Sequence, residues 1–576
     1  MKGCYGKMLT IDLDARQEKS EAIPDQVFAD YLGGKGLGAW LLKQLNPPGV
    51  DPLAPENRLI LTTGPACGFP VWGANRYAAF TKSPLTGIFA ESYAGGRAFQ
   101  PMSAVGYDAF VLSGKLDNWG CLEIAPEGVK FHDAAALLGK DALETERILR
   151  ERFPGRECAV LTIGPAGENL VRYAYVNNDF GRCLGRTGIG AVLGSKRIKA
   201  LVFRGGLVKE AADPELLAHL RKEWGKKWRD HPTTAAYHDK GTSMVVDLTN
   251  DAEAFPSRYW QEGRVAHWKQ INASALHRDL AVKPKACTYC FMACTRQSVV
   301  TGGRHEGLKL DGPEYETIYA FGGLNLVEDI REIAYLNDLC DRLGMDTMTA
   351  GNVTAFAIEA AKRGRIDFAI DYGQVDRIAE LLKMIAMREG IGDLLAEGVR
   401  EAARRLDLEE ISIQFNGMEP AGYDPRSLEG MALAYAVSDR GACHLRTTFY
   451  KPELSGMIDP HCNEGKAEMF LEYEDRLALF DCLIVCRFFR DFYYYEELAA
   501  ILKGTLGLEM SEADLKAAAA RIAAVIREFN LQEGLQPADD AVPEFFFTHP
   551  VGNAAYKLDH RRFNELLTGY RRLRGT

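Results

Sequence analysis

Three cysteines stand close together in Lys283-Pro-Lys-Ala-Cys287-Thr-Tyr-Cys290-Phe-Met-Ala-Cys294. Gaps of two and three residues let a tight loop present three thiolates to one inorganic centre. Tetrahedral zinc takes four donors, and so do the four corners of an iron–sulfur cube, so a fourth ligand has to come from elsewhere. Asp481-Cys482-Leu-Ile-Val-Cys486 offers two cysteines. If that stretch is helical, residues four apart share a face, and spacing leaves both open as the fourth donor. At least one of them is expected to be core. Three buried small hydrophobes are the plainer reading of the loop. Pro284 and its flanking lysines weigh against it, because they mark a loop rather than a packed helix.

A second chemical signal is the pairing of glycine with basic residues. It occurs in Gly33-Gly-Lys-Gly-Leu-Gly38, Gly73-Ala-Asn-Arg76, Gly95-Gly96-Arg97 and Gly181-Arg182-Cys183-Leu-Gly185-Arg186-Thr-Gly-Ile-Gly190. Glycine lets backbone amides approach an anion, and arginine supplies a forked donor. One such loop is an ordinary turn. Four in one region point to a ligand bearing more than one phosphate. None of them is a dinucleotide-binding G-x-G-x-x-G after a strand, and no G-x-x-x-x-G-K-[ST] occurs.

The elements that must carry these residues change character along the chain. Up to about residue 208, short apolar or alternating runs bounded by Gly and Pro predict strands at Met8–Asp14, Arg58–Thr63, Ala109–Ser113, Cys121–Ala125, Ala159–Ile163 and Ala200–Arg204. Ala134–Phe153 is expected as one helical insert. Asp213-Pro214 opens a helix running to Trp228, with the cap and first-turn residues in their preferred places. Residues 245–282 read as loop-like. Apolar spacing then predicts helices over Ile330–Leu343, Thr349–Arg363, Gln374–Arg388 and Ile391–Leu406, and again over 466–503 and 511–530. Residues 407–450 read as irregular and the tail as looser.

At 576 residues the chain is too long for one core, and the texture shifts divide it into 1–208, 209–413 and 414–576. Hydrophobic content of 47% with 26% charged residues is that of a soluble globular protein. A net charge of −10 argues against a nucleic-acid binder and gives no support to an anionic membrane surface. No run of 18 apolar residues is present, so no membrane span is expected. Thirteen scattered cysteines suggest a reducing compartment, and the N-terminus alternates without a signal-peptide core, so the expected address is the cytoplasm.

These motifs, in this order, resemble the aldehyde ferredoxin oxidoreductase family of tungsten-pterin enzymes. Cys287-x-x-Cys290-x-x-x-Cys294 resembles its cluster loop. Asp341-Arg-Leu-Gly344-Met-Asp346 and Asp481-x-x-x-x-Cys486 resemble its two pterin signatures, the second ending in the fourth cluster ligand. Arg76 resembles the arginine between pterin and cluster, and Thr81-Lys-Ser-Pro-Leu-Thr-Gly87 is also similar. The resemblance implies an α+β fold. Its N-terminal strand-rich domain of two sheets forms the cofactor base, followed by two mainly α-helical domains. It further implies a [4Fe–4S] cluster on Cys287, Cys290, Cys294 and Cys486, and a tungsten bis-pterin with molybdenum as the alternative metal. Magnesium would bridge the pterin phosphates through the carbonyls of Tyr93 and Cys183. The phosphates would need the loops bearing Gly95, Gly96, Arg97, Arg182, Gly185 and Arg186. Asp341 and Asp481 would accept hydrogen bonds from the two pterins, with Arg446 at one of them; alone, either aspartate is more commonly a cap or salt-bridge partner.

By the same resemblance His444 is the active-site histidine. Glu316 or Glu314, in Glu314-Tyr-Glu316, is the catalytic carboxylate, with Glu316 preferred. The activity implied is oxidation of an aldehyde to a carboxylic acid. Electrons would leave to a ferredoxin or an iron–sulfur subunit, with or without a flavin subunit, in an oligomer. Two departures stand out. Ile484 and Val485 fill a region where the second signature usually carries glycine. No histidine lies between His305 and His444, so a Glu-x-x-His iron bridge between subunits is not expected. Two alternatives remain at this level: the tungsten subunit of an aromatic acyl-CoA ring reductase, and a zinc-binding structural protein. The second leaves the arginine–glycine loops unexplained.

Overall fold

Short apolar strands buried on both faces decide how the N-terminal region folds. In the computed structural model, which describes all residues Met1–Thr576, the six expected strands form within two residues of their predicted starts. The first sheet holds β1 (Lys7–Asp12), β2 (Gln17–Ala22), β3 (Leu59–Thr62), β4 (Tyr77–Lys82), β5 (Phe89–Ala94) and β6 (Ala109–Ser113), in the order β2-β1-β6-β3-β4-β5. The second holds β7 (Gly120–Ala125), β8 (Gly128–Asp133), β9 (Cys158–Thr162), β10 (Val176–Asn178), β11 (Arg182–Leu184) and β12 (Ile198–Arg204), in the order β11-β10-β9-β12-β7-β8. Only β1/β6 and β12/β7 pair in parallel.

Alternate residues of the first sheet serve two different cores. Leu59, Leu61, Phe110 and Leu112 face the second sheet, where Phe110 meets Phe203 edge-on with ring centroids 5.0 Å apart. Ile60, Ala78, Phe80 and Val111 face the other way and pack with Phe480, Ile522 and Ile526 of the C-terminal helices. A one-residue slip would invert both cores at once, so the register is strongly specified. The two sheets approach each other where β5 and β11, each an edge strand, lie side by side. Asn178 fixes that junction: it accepts from Tyr77 Oη at 2.9 Å and donates to the Gly95 carbonyl at 3.1 Å.

The rest of the chain is mainly helical, as expected for this α+β arrangement. Asp213 caps the helix Pro214–Trp228 by accepting from Leu216 N. Asp329 caps Ile330–Leu343, which Gly344 ends in the left-handed region at φ 80°. Asp346 caps Thr347–Lys362 by accepting from Thr349 N. Such caps stabilise a helix by about 1 kcal/mol each.

Several expected elements differ in the structure. Ala134–Phe153 is a short 3₁₀ turn, Ala135–Leu137, then a helix, Ala142–Arg152, because Gly139 (φ 73°) interrupts it. Ile391–Leu406 divides into Ile391–Leu395 and Val399–Leu406 at Gly398 (φ 87°). The span 466–503 is broken after Lys466–Leu483 and resumes at Tyr495–Leu506. Residues 245–282 contain three short helices, and 407–450 contain Glu429–Ala436. The tail ends in a regular helix, His560–Arg574, whose Phe563, Leu566, Leu567 and Tyr570 are buried. The glycine run at residue 33 is a helix start, Gly34–Leu45, and not a loop between strands. No helix is long and apolar enough to cross a membrane.

Candidate active site

The cysteine loop hangs between two strands of a small antiparallel sheet, β13 (Lys283–Lys285) and β14 (Thr295–Val299), completed by β15 (Lys309–Asp311). Tyr289 (φ 53°) and Ala293 (φ 45°) make the turns that aim the three side chains inward. One glycine ties this loop to the remote fourth cysteine. Gly73 N donates to the Tyr289 carbonyl at 2.7 Å, and the Gly73 carbonyl accepts from Cys486 N at 2.8 Å. Gly73 sits at φ 79°, and a Cβ there would lie 2.6 Å from the Phe489 ring. Arg76, three residues on, donates to Cys486 Sγ at 3.2 Å.

The two candidate fourth cysteines part company because the helix stops at Leu483. Ile484 adopts φ 62° and turns the chain, so Cys482 and Cys486 do not share a helix face. Cys482 is fully buried in the apolar core beneath the first sheet, whereas Cys486 lines a cavity with Cys287, Cys290 and Cys294. These four thiols border a shared space rather than converging on one ion-sized point: no three His, Cys, Asp or Glu side chains are placed to hold a single ion. Burial pushes the Cys290 thiol up to about 12 and Cys294 well above the usual range, with the neighbouring cysteines adding to both. Thiols held this high keep their protons at neutral pH, and only a bound metal would displace them.

The cavity, about 660 Å³, lies where the sheet edges and the helical domains meet. It gathers Arg76, Arg182, Arg186, Arg440, Arg446 and Arg487. The chain's own carboxylates neutralise only part of this charge. Arg446 binds Glu91 and Asp481, Arg487 binds Asp481, and Arg186 reaches Asp346 at 3.3 Å. Arg440 contacts only the Glu91 carbonyl and Cys443 Sγ, and Arg182 has no ion-pair partner. Asn75 Oδ1, Arg440 Nε and Arg446 Nε are buried without a hydrogen-bond partner on the cavity wall. A cavity this cationic, with orphaned polar atoms, fits a multiply anionic ligand.

Most of the expected residues meet here. Tyr93, Gly95, Cys183, Gly185, Asp341, Asp346, Glu314, Glu316 and His444 all line the cavity with the arginines and thiols. Asp341 accepts from Tyr175 Oη at 2.9 Å and from Asn337 at 2.7 Å, yet burial pushes it up to about 8. Three residues do not line it. The Gly96 carbonyl accepts from Thr288 N behind the cysteine loop. Gly344 caps a helix, where a Cβ would lie 2.8 Å from Gly164 N. The Arg97 side chain is 71% exposed and points outward.

Glu316 and His444 form the most unusual pair. His444 Nε2 lies 3.2 Å from Glu316 Oε1, while Glu316 Oε2 accepts from Gly422 N at 3.1 Å. Neither Glu316 Oε1 nor His444 Nδ1 has a hydrogen-bond partner. Burial raises Glu316 to about 8 against the opposing Gly422 amide and Arg186. Burial, reinforced by Arg186, Arg440, Arg446 and Arg487, holds His444 well below its usual range and hence neutral. Tyr423 and Tyr450, stacked 3.9 Å apart, wall this end. Glu314 instead faces the cysteines: its Oε2 accepts from Thr242 Oγ1 at 2.5 Å, and it acts electrostatically on Cys294.

The sequence reading missed Glu91, which accepts from Lys35 at 3.0 Å and from Tyr93 Oη at 2.5 Å. Burial would raise Glu91, but Arg446, Lys35 and Arg440 overcome it and hold the carboxyl well below the usual carboxylate range. A glutamate in the apolar strand Phe89–Ala94 was the available signal. Arg487, adjacent to Cys486, was also missed.

The model of the aldehyde ferredoxin oxidoreductase N-terminal domain matches residues 8–205, and that of its domains 2 and 3 matches residues 219–576. The chain is 33% identical to a tungsten-containing aldehyde ferredoxin oxidoreductase of Pyrococcus furiosus, covering 100% of this chain and 96% of the relative. It is 30% identical to an aliphatic sulfonate oxidoreductase WOR-like subunit of the same organism, covering 77% and 75%. Among solved structures, the active site complex BamBC of benzoyl coenzyme A reductase with 1,5 dienoyl-CoA superposes with a TM-score of 0.85. It is 24% identical and covers 100% of this chain and 95% of that one, a likeness of fold.

Proposed function

This chain belongs to the aldehyde ferredoxin oxidoreductase family, and from that premise we propose that it is a tungsten-dependent enzyme oxidising aldehydes to carboxylic acids. The observation that carries this reading is the Glu316–His444 pair, a proton-holding carboxyl beside a neutral imidazole on the wall of a cationic cavity that also holds four thiols. When bound, a tungsten bis-pterin supplies two-electron oxidation, and a [4Fe–4S] cluster passes the electrons on singly.

The chain's residues fit those groups. Cys287, Cys290, Cys294 and Cys486 would hold the cluster; thiols spread around a shared space favour a polynuclear centre over zinc. Arg182, Arg186 and Arg446, with the backbone at Gly95 and Gly185, would hold the pterin phosphates. The carbonyls of Tyr93 and Cys183 would suit magnesium as a hard cation. Asp341 and Asp481 would accept from the pterin amino groups, with Asp346 fixing Arg186 and Arg76 standing against Cys486.

Converting RCHO and water to RCOOH frees two protons and two electrons. In its ionised form Glu316 takes a proton at Oε1, and His444, neutral at working pH, orients the oxygen being deprotonated through a ring nitrogen. Tyr423, Tyr450 and Leu454 line the apolar side for the aldehyde's hydrocarbon part, and Leu248, 53% exposed, lies at the mouth. The electrons go to a ferredoxin or an iron–sulfur subunit. The test is tungsten and iron content of anaerobically purified protein, measured beside aldehyde-dependent viologen reduction. Tungsten-loaded protein that fails to reduce the dye whichever aldehyde is supplied would overturn this reading.

A further inference from the structure

We propose that the exposed basic face of the helix Pro214–Trp228, together with the lead-in to the cysteine loop, is the docking surface for an acidic electron-carrier protein. This inference rests on the proposed electron path and locates its exit.

The surface begins at the cysteines themselves. Cys287 and Cys290 are only half-buried, and Tyr289 between them carries the Arg221 guanidinium over its ring, 5.2 Å from the centroid. Arg221 also lies 4.5 Å from the Trp72 ring centroid, and Trp72 packs edge-on against Phe291 of the loop at 5.1 Å. Trp72 Nε1 donates to the Arg221 carbonyl at 2.8 Å, so the helix is pinned to the loop from the outside. Gly225 permits this approach: a Cβ there would lie 3.2 Å from Trp72 Nε1. A carrier resting on this helix therefore lies over Trp72 and Tyr289, the side chains that join it to the cysteine loop.

The charge on that face is at odds with the rest of the molecule. The chain carries 79 acidic against 69 basic residues. Yet Arg221-Lys222-Glu223-Trp-Gly-Lys226-Lys227-Trp-Arg229 holds five cations and one acid. Trp224 and Trp228 turn inward, leaving Lys222, Lys226 and Arg229 along one exposed stripe at positions i, i+4 and i+7. Lys283 is exposed in the lead-in strand. Lys285 is paired with Asp311 at 2.8 Å, and Arg97, beside the Gly96–Thr288 contact, reaches Asp179 only at 4.0 Å. Arg221, Lys222, Lys226, Lys227, Arg229 and Lys283 have no ion-pair partner within the chain. Elsewhere most arginines are locked in pairs, as Arg304 is with Glu332 and Asp376. Unpaired cations grouped over a redox site raise the encounter rate with an anionic partner and cost nothing in broken internal bridges.

The redox step balances with such a partner. Each aldehyde oxidised releases two electrons, so two encounters with a one-electron carrier, each reduced by one electron, complete a turnover. The docking must be brief, which suits a small, electrostatically steered interface.

The test uses the holoenzyme, with a purified acidic single-cluster [4Fe–4S] ferredoxin as carrier and methyl viologen as a small dye. In the variant K222E/K226E/K283E, KM for ferredoxin should rise by about tenfold or more at low salt. Viologen activity should stay at the wild-type level, and the salt dependence of the ferredoxin rate should flatten. The milder K222Q/K226Q/K283Q should fall between, which guards against a folding defect. An equal charge change elsewhere, K383E/R572E/K557E, should leave the ferredoxin KM unchanged. A wild-type KM in the first variant, or equal losses in the control variant, overturns the docking surface while the electron path stands. A wild-type enzyme that reduces viologen but not ferredoxin overturns both.

Discussion

His444 Nε2 and Glu316 Oε1 stand 3.2 Å apart, with the outer nitrogen of the ring and the facing carboxylate oxygen both lacking a hydrogen-bond partner. Two buried polar atoms left open in a cavity are costly unless something else binds them. Each side chain is therefore poised for a ligand and not for its neighbour alone. Proton handling by a positioned side chain accelerates reactions by about 100- to 10,000-fold. Glu316→Gln and His444→Ala should each lose activity in that range while keeping wild-type iron and tungsten content. Full activity in His444→Ala at normal metal content would remove it from the mechanism.

The same pair sets a pH dependence. As a base Glu316 must be ionised, so kcat/KM should climb about tenfold per pH unit and level off above about 8. Glu316→Gln should lack that limb. Stability runs in the opposite direction. An unfolded glutamate titrates at about 4.3. Between that value and about 8 the unfolded chain has released the proton that the folded chain retains. Unfolding free energy therefore falls as pH rises through this window and is level above it. Glu316→Gln should flatten that part of the curve in cofactor-free protein.

Glu314 shares the motif but not the place. Its contacts are Thr242 and, through space, Cys294, on the cysteine side of the cavity. Glu314→Gln should hold kcat within about threefold, under 1 kcal/mol of barrier, and act on the iron centre. An equal loss in both glutamate variants, at equal metal content, would dissolve the distinction drawn between them.

How far the sequence reveals this site depends on whether a residue's role is local. The cysteine loop, the Arg76 turn and the cap at Asp213 depend on near neighbours, and they are legible from spacing and residue type. The strand-rich, then helical order follows from the change in apolar period, whereas the two sheets are implied only by the family resemblance. Glu91 is different. Its charge is tolerated only because Lys35 and Arg446, 56 and 355 residues away, converge on it. The helix end at Leu483 is illegible for another reason. It rests on a β-branched Ile484 in the left-handed region, which local propensity opposes and only tertiary packing imposes. For that reason spacing alone could not choose between Cys482 and Cys486.

The structure does separate those cysteines, and the consequence is measurable. Cys486→Ser should lower iron per chain sharply, with loss of the thiolate–iron absorbance expected near roughly 400 nm. Cys482→Ser should keep its iron and instead cost stability, because it places a hydroxyl in the apolar core around Phe480 and Ile522. The reverse pattern of iron loss would mean that the wrong sulfur has been assigned.

Gly73 should prove as sensitive as a ligand without being one. Alanine there meets both a backbone at φ 79° and the Phe489 ring at 2.6 Å. Strain of this kind costs about 1–3 kcal/mol. It would fall on the segment whose amide and carbonyl join Tyr289 to Cys486. Gly73→Ala is therefore expected to lower both the unfolding midpoint and the iron content. Wild-type iron with reduced stability alone would show that the tie carries load without setting the cysteine geometry.

Arg76 offers the sharpest distinction between holding the centre and tuning it. Its guanidinium donates to Cys486 Sγ at 3.2 Å, and although burial works against its charge, Cys486, Cys287 and Cys294 overcome it and hold its proton more firmly than usual. Reducing an iron–sulfur centre adds negative charge, and a nearby buried cation favours that state. Removing the cation in Arg76→Ala should therefore move the cluster potential to more negative values. Each 1.4 kcal/mol of lost interaction corresponds to about 59 mV for a one-electron couple. Arg76→Lys keeps the charge but loses the planar fork, so it should recover most of the potential and less of the iron retention. An EPR-monitored redox titration of both variants, with iron counted per chain, reads the two effects separately. A potential unchanged in Arg76→Ala at full iron content would reduce Arg76 to a packing residue.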